Sequence, residues 1–202
     1  KSQLGGGSPM IRGFSTNRVL IVVDGIRMNT AIFRSGNLQN VISLDPYAIG
    51  KTEVFFGPGS VIYGSDAIGG VMNFQTLRPR LSDSNDPFVA GNAVTRFSSA
   101  DQELSGHMDI NVGWKKWALV TSFSHVHFND LRMGSNGPDD YLRPNYVQRQ
   151  DSADVVITNP DPLVQTPTGY DQTNLMQKIR FSPGDNWDFT YGFHYSTTTN
   201  VS

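Results

Sequence analysis

From Val54 to Thr76 the chain reads Val-Phe-Phe-Gly-Pro-Gly-Ser-Val-Ile-Tyr-Gly-Ser-Asp-Ala-Ile-Gly-Gly-Val-Met-Asn-Phe-Gln-Thr. Few folds accept such a stretch. Residues 51–56 are β-branched and aromatic and read as a strand. Gly57-Pro58-Gly59 stops it, because proline has no N–H to give a ladder. Residues 60–63 leave room for one helical turn, which Gly64 ends. Gly69-Gly70 lets a second strand, residues 71–76, start close against its neighbours. The run lacks the Gly-Lys-Ser/Thr end of a phosphate-binding loop. It also lacks the dinucleotide-binding glycine spacing followed by a long helix. Nucleotide chemistry is therefore set aside, and these glycines read as structural.

Composition narrows the class. The 202 residues suit one or two domains. Hydrophobic residues make up 38% and mean hydropathy is −0.32, with no apolar run of helix-spanning length. A membrane barrel stays open, since alternating strands hide in average hydropathy. A net charge of −2 supplies no basic face for nucleic acid. The chain has no cysteine, which removes thiol catalysis, disulfides and cysteine-ligated zinc. No Ser-His-Asp set has supporting sequence context, so no catalytic residue is assigned and the chain is not read as an enzyme.

Organisation changes at residues 77–87, a polar stretch with proline near both ends that reads as a linker. Before it, short strands and turns predict a compact α+β unit. After it, period-two alternation predicts longer strands near residues 88–98, 104–114, 117–128, 173–182 and 187–198. The last is the clearest: Trp187, Phe189, Tyr191, Phe193 and Tyr195 alternate with Asp188, Thr190, Gly192 and His194. In 173–181, Lys178 and Arg180 lie opposite Leu175, Ile179 and Phe181. Tight turns flanked by Trp114, Trp117 and Trp187 stand against a loop of about forty residues between Asn129 and Asp171. Short turns at one end and long loops at the other suit an outer-membrane barrel, with the tryptophans as an interfacial girdle. A soluble β-sandwich, perhaps a carbohydrate-binding module, is the alternative that alternation alone permits.

The 54–76 stretch resembles the end of the plug domain of TonB-dependent outer-membrane receptors. The resemblance extends upstream, through Ile11-Arg12-Gly13-Phe14 and the run from Arg18 through Asp24-Gly25 to Asn29. It assigns Arg12, Gly13, Asp24, Gly25, Gly57, Pro58, Tyr63, Gly64, Gly69 and Gly70 to the plug's structural motif. It implies an α+β plug-domain fragment over residues 1–80, then the first antiparallel strands of a transmembrane β-barrel over 81–202. Such barrels close with about 22 strands, so five make an incomplete barrel. The chain is accordingly read as an internal fragment whose TonB box precedes Lys1.

The same resemblance implies function: an active transporter in the Gram-negative outer membrane, with outer-membrane lipid and the TonB energy-coupling complex as partners. No cofactor and no metal site are expected of the chain itself. The cargo it suggests is a small iron-bearing ligand, haem or a ferric siderophore. The stretch 33–42, with Asp45-Pro46 following, is similar to haem and haemoglobin receptors. It departs from them in having no His before His107, so a ferric siderophore stands beside haem. Cobalamin and oligosaccharide are the further alternatives. In the family the loop corresponding to 28–40 meets the ligand; here Phe33 would stack on it, and Arg34, Asn37 and Gln39 would hydrogen-bond to it. Arg12, Asp24, Arg27, Lys51 and Glu53 are expected in a structural ion-pair network holding the plug. His125 and His127, at i and i+2, share a strand face but lack a third ligand and read as rim histidines. His107 and His194 are expected on the lumen side.

Overall fold

The computed structural model describes residues 10–15, 18–28, 44–57, 59–64 and 67–199. The first unit opens with a hairpin of β1 (Met10–Ile11) and β2 (Phe14–Ser15). Next come β3 (Val19–Val23), β4 (Ile26–Arg27), a 3-10 turn (Pro46–Ala48), β5 (Ile49–Phe56), helix α1 (Ser60–Tyr63) and β6 (Gly70–Thr76). One sheet runs β4-β3-β6-β5, with β3 and β6 parallel and β5 antiparallel to β6. The Val-Leu-Ile-Val-Val run of β3 is buried throughout because both its faces are covered. Leu20 and Val22 pack with Ala67 and Val71, while Ile21 and Val23 pack with Phe74.

Residues 19–26 are not one strand, as the apolar run suggests, but a strand and its return. Asp24 and Gly25 turn the chain at φ 49° and 83°, and Val22 and Val23 then face Arg27 and Ile26. Positive φ at both central residues is the hairpin geometry that Asp-Gly favours. Arg12-Gly13 does the same between β1 and β2.

Gly70 starts β6 at φ 147°, where an added Cβ would lie 2.7 Å from the Phe55 carbonyl oxygen and 3.0 Å from Ile11 Cδ1. Gly70→Val should therefore destabilise the plug by about 1–3 kcal/mol through strain and overpacking. Denaturant unfolding of the full-length receptor, followed by a probe on the plug, checks this; an unchanged midpoint would contradict the packing described.

The second unit is a five-stranded antiparallel sheet in the order β15-β14-β9-β8-β7. Its strands are β7 (Phe88–Ser98), β8 (Glu103–Gly113), β9 (Trp117–Phe128), β14 (Tyr170–Gly184) and β15 (Trp187–Thr198). The sheet is open. Alternation fixes its two faces. Ser105 and His107 of β8, Val120 and Ser124 of β9, and Met176 and Lys178 of β14 are buried on the inner face. Leu104, Met108, Ile110, Phe123 and Ile179 are exposed on the outer one. On β15 every described side chain is exposed, so partners rather than burial give the direction. Asp188 meets Arg180 and Arg78, and His194 approaches Asp24, so this set turns toward the plug. The aromatic set, Trp187 to Tyr195, turns away. At the short-turn end Trp117 stacks on Phe181 at 4.1 Å between ring centroids, and Trp187 on Phe189 at 5.6 Å.

The long connection is not the plain loop expected. Between β9 and β14, β10 (Leu131–Arg132) pairs with β13 (Val164–Gln165), and β11 (Asn145–Gln150) forms a hairpin with β12 (Ala153–Thr158). The run Val155-Val156-Ile157 is short among polar neighbours, which masked it as a strand. Asp130 ties the base of the connection, accepting from Thr168 N at 2.7 Å, Gly169 N at 2.9 Å and Thr166 Oγ1 at 2.7 Å. Burial pushes the Asp130 carboxyl up, but these donors outweigh it and hold the group below its ordinary range.

The plug sheet sits on the inner face. Ala48 and Leu77 pack with Val120 and Met176. The linker then runs to the short-turn end, where Ser82 N bonds to Trp114 O at 3.1 Å.

Candidate functional site

The junction between plug and wall centres on Asp24. The Asp-Gly turn pushes its carboxylate out of the plug sheet and toward β14. There Asp24 Oδ1 accepts from Thr76 N at 2.9 Å, and Oδ2 accepts from Thr76 Oγ1 at 2.8 Å. Lys178 Nζ stands 2.8 Å from Oδ2 and His194 Nε2 3.7 Å from it. The Lys178 side chain is 8% exposed and that of Asp24 27%. A buried ammonium needs a partner, and Asp24 supplies it across the boundary between the two units. Beside the pair lies a cavity of about 600 Å³, lined among others by Met28, Leu44, Asp45, Asn174 and His194.

Burial pushes the Asp24 carboxyl up, but the bonds from Lys178 and Thr76 win and hold it below its ordinary range. A carboxyl lowered in the folded state stabilises above its unfolded value and loses that contribution as pH falls through the lowered one. In the full-length receptor, protease sensitivity of the plug should therefore rise below about pH 4. Asp24→Asn should abolish that step; an identical acid step in the variant would contradict the assignment.

The other expected charges do not form one network. Arg12 lies over the Phe56 ring, 5.3 Å from its centroid. The Arg27 guanidinium donates to the Tyr63 carbonyl. Lys51 and Glu53 pair at 2.7 Å along one strand, and Glu53 also accepts from Asn73 and Gln75. The Arg12 and Arg27 contacts stay within the plug, because a hairpin turn and an edge strand point them at its own rings and carbonyls. Of the five, Asp24 is the one whose described ion pair reaches the wall, and its partner Lys178 was visible in the sequence only as a charge opposite an apolar strand face.

Phe33, Arg34, Asn37, Gln39 and Pro58 lie outside the described residues. Met28 and Leu44, on either side of the first four, both line the cavity. Gly57 and Gly64 carry positive φ, and Tyr63 lies 6.3 Å from Phe55 ring to ring. His107 faces the plug, as expected of it. His125 and His127 are on the outer face, where Asp171 Oδ1 lies 2.7 Å from His127 Nδ1 and 3.8 Å from His125 Nε2. Among the described residues no group of three His, Cys, Asp or Glu side chains is placed to hold a metal.

Comparison with known proteins now adds to the geometry. A family model described as the TonB-dependent receptor plug domain matches residues 1–71. The vitamin B12 transporter BtuB of Vibrio vulnificus is 32% identical over 165 residues, covering 66% of this chain and 26% of that protein. The chain belongs to the TonB-dependent receptors. Solved structures of similar fold include the copper transporter OprC, with a TM-score of 0.71 at 16% identity over 98% of this chain and 26% of that one. The FrpB iron transporter of Neisseria meningitidis gives 0.62 at 16% identity, over 93% and 26%. The TonB-dependent receptor chain thus spans about a quarter of the length of these relatives. Its plug is followed by antiparallel strands like those of the receptor barrels, in a sheet that does not close.

Proposed function

We propose that the chain is part of an outer-membrane importer that takes up an iron-bearing ligand, haem or a ferric siderophore, and is energised by the TonB complex. The observation that carries this is the two-faced sheet. Its inner face holds a plug through polar contacts, and its outer face is apolar with stacked aromatics at the short-turn end. Such an outer face suits hydrocarbon and its interface. A plug held by an ion pair and hydrogen bonds can be released by a pull without breaking covalent bonds. Transport driven by the proton-motive force then needs no catalytic residue in this chain.

Iron is favoured by relatives of the same fold named for iron and siderophore, FrpB and the siderophore receptor PirA of Acinetobacter baumannii. Phe33, Arg34, Asn37 and Gln39 are proposed to meet the cargo, and the seven Asp against three Arg over residues 129–171 disfavour a strongly anionic chelate. Cobalamin is the second reading, favoured by the 32% identity to a vitamin B12 transporter.

Replacing Phe33, Arg34 and Asn37 together by Ala in the full-length receptor should slow growth on one iron source without lowering the receptor's level in the outer membrane. Unchanged growth on haem and on each siderophore, with impaired cobalamin uptake, would transfer the assignment to the second reading. Unchanged uptake of all three cargoes would remove the segment from the site.

A further inference from the structure

A second polar junction joins plug and wall, at β8 and β9. Asp45 caps the Pro46–Ala48 turn, its Oδ1 accepting from Tyr47 N at 3.0 Å. Its other oxygen accepts from Ser124 Oγ of the wall at 2.7 Å. Ser124 is fully buried and lies 2.7 Å from His107 Nδ1. His107 Nε2 lies 3.2 Å from Asp109 Oδ2. The imidazole stacks on the Tyr47 ring, 4.9 Å between centroids at 16°, and the Tyr47 hydroxyl lies 3.3 Å from Ser105 Oγ.

Proton accounting orders this chain of contacts. A carboxylate only accepts, so the single Ser124 proton goes to Asp45. Ser124 must then accept from Nδ1–H of His107. At Nε2 the ring faces Asp109, which again only accepts, and Asp109 also takes Asn92 Nδ2 at 3.1 Å. A ring carrying both protons serves both acceptors; a neutral one serves a single acceptor. A histidine that merely filled the wall would need one partner. This one grips the plug twice, through Ser124 to the capping carboxylate and through its face to Tyr47.

We propose that His107 is the positioning residue that fixes the Pro46–Ala48 turn on the barrel wall, and with it the chain leaving the proposed cargo-binding segment. The consequence for uptake rests on the cargo reading above; the clasp itself does not.

The test uses the full-length receptor in detergent and in cells. His107→Phe keeps a ring to stack on Tyr47 and removes both hydrogen-bonding poles, while Asp45→Ala removes the other end. His107→Phe should speed amide exchange in residues 45–49 about tenfold, the loss of roughly one net hydrogen bond, and Asp45→Ala, which also takes the acceptor from Tyr47 N, should speed it further. The double variant should exchange no faster than Asp45→Ala alone, since His107 acts on the turn through the Asp45 carboxylate. His107→Gln, whose amide reaches one partner, should keep part of the protection and serves if His107→Phe does not assemble. Half-saturating concentrations for uptake, with haem and a ferric catecholate siderophore as probes, should rise about tenfold at unchanged receptor level. Wild-type exchange in His107→Phe, or effects that multiply in the double variant, would overturn the clasp. Accelerated exchange with unchanged uptake would leave the clasp standing and overturn the cargo-segment reading.

Discussion

Lys178→Met in the full-length receptor should loosen the plug by about 2–3 kcal/mol, because it leaves the Asp24 carboxylate without its cation. The value sits at the low end for a broken buried pair since Asp24 still reaches solvent in part. Asp24 keeps its two bonds from Thr76, so the loss is of charge compensation rather than of the turn. Adding Asp24→Asn to Lys178→Met should recover most of the loss, as both charges are then gone. Denaturant unfolding read by a fluorophore on the plug measures both variants. A Lys178→Met midpoint equal to wild type would show that the pair does not hold the plug.

The second large effect separates the two faces of β15. Tyr191→Arg should destabilise the receptor in lipid vesicles by about 2–4 kcal/mol, the cost of charge facing hydrocarbon near the midplane. Thr190→Arg, one residue away on the face shared with Asp188 and His194, should cost less than about 1 kcal/mol, as lumen charges do. Thr190 stands opposite Arg180, whose charge Asp188 already meets at 2.8 Å. Equal destabilisation by the two arginines would remove the assignment of faces.

The barrel strands were legible because one face of each had to be apolar. The aromatic alternation from Trp187 to Tyr195 marks β15, and the 117–128 expectation coincides with β9. The plug was legible through its glycines, since the stop at Gly57 and a crowded Gly70 leave little choice of residue. The return at Asp24-Gly25 was written in an Asp-Gly dipeptide but hidden by the apolar run around it. The β11–β12 hairpin was not legible, because its strands are exposed on both faces and so carry no alternation. Nor was either junction between plug and wall. Asp24 meets Lys178, Asp45 meets Ser124, and Tyr47 meets His107, only because the linker folds the plug back against the sheet. Pairings over such sequence separations leave no local pattern. They appear in sequence only as charges and a histidine on the inner side of alternating strands.

The most direct measurement is uptake by cells carrying the full-length receptor, compared with otherwise identical cells lacking TonB. Haem, a ferric siderophore and cyanocobalamin, each labelled, serve as the probes. The function proposed for the chain requires at least one cargo, iron-bearing by preference, to accumulate with TonB and to remain only surface-bound without it. Equal accumulation in the two strains, or none of any cargo in either, would contradict it.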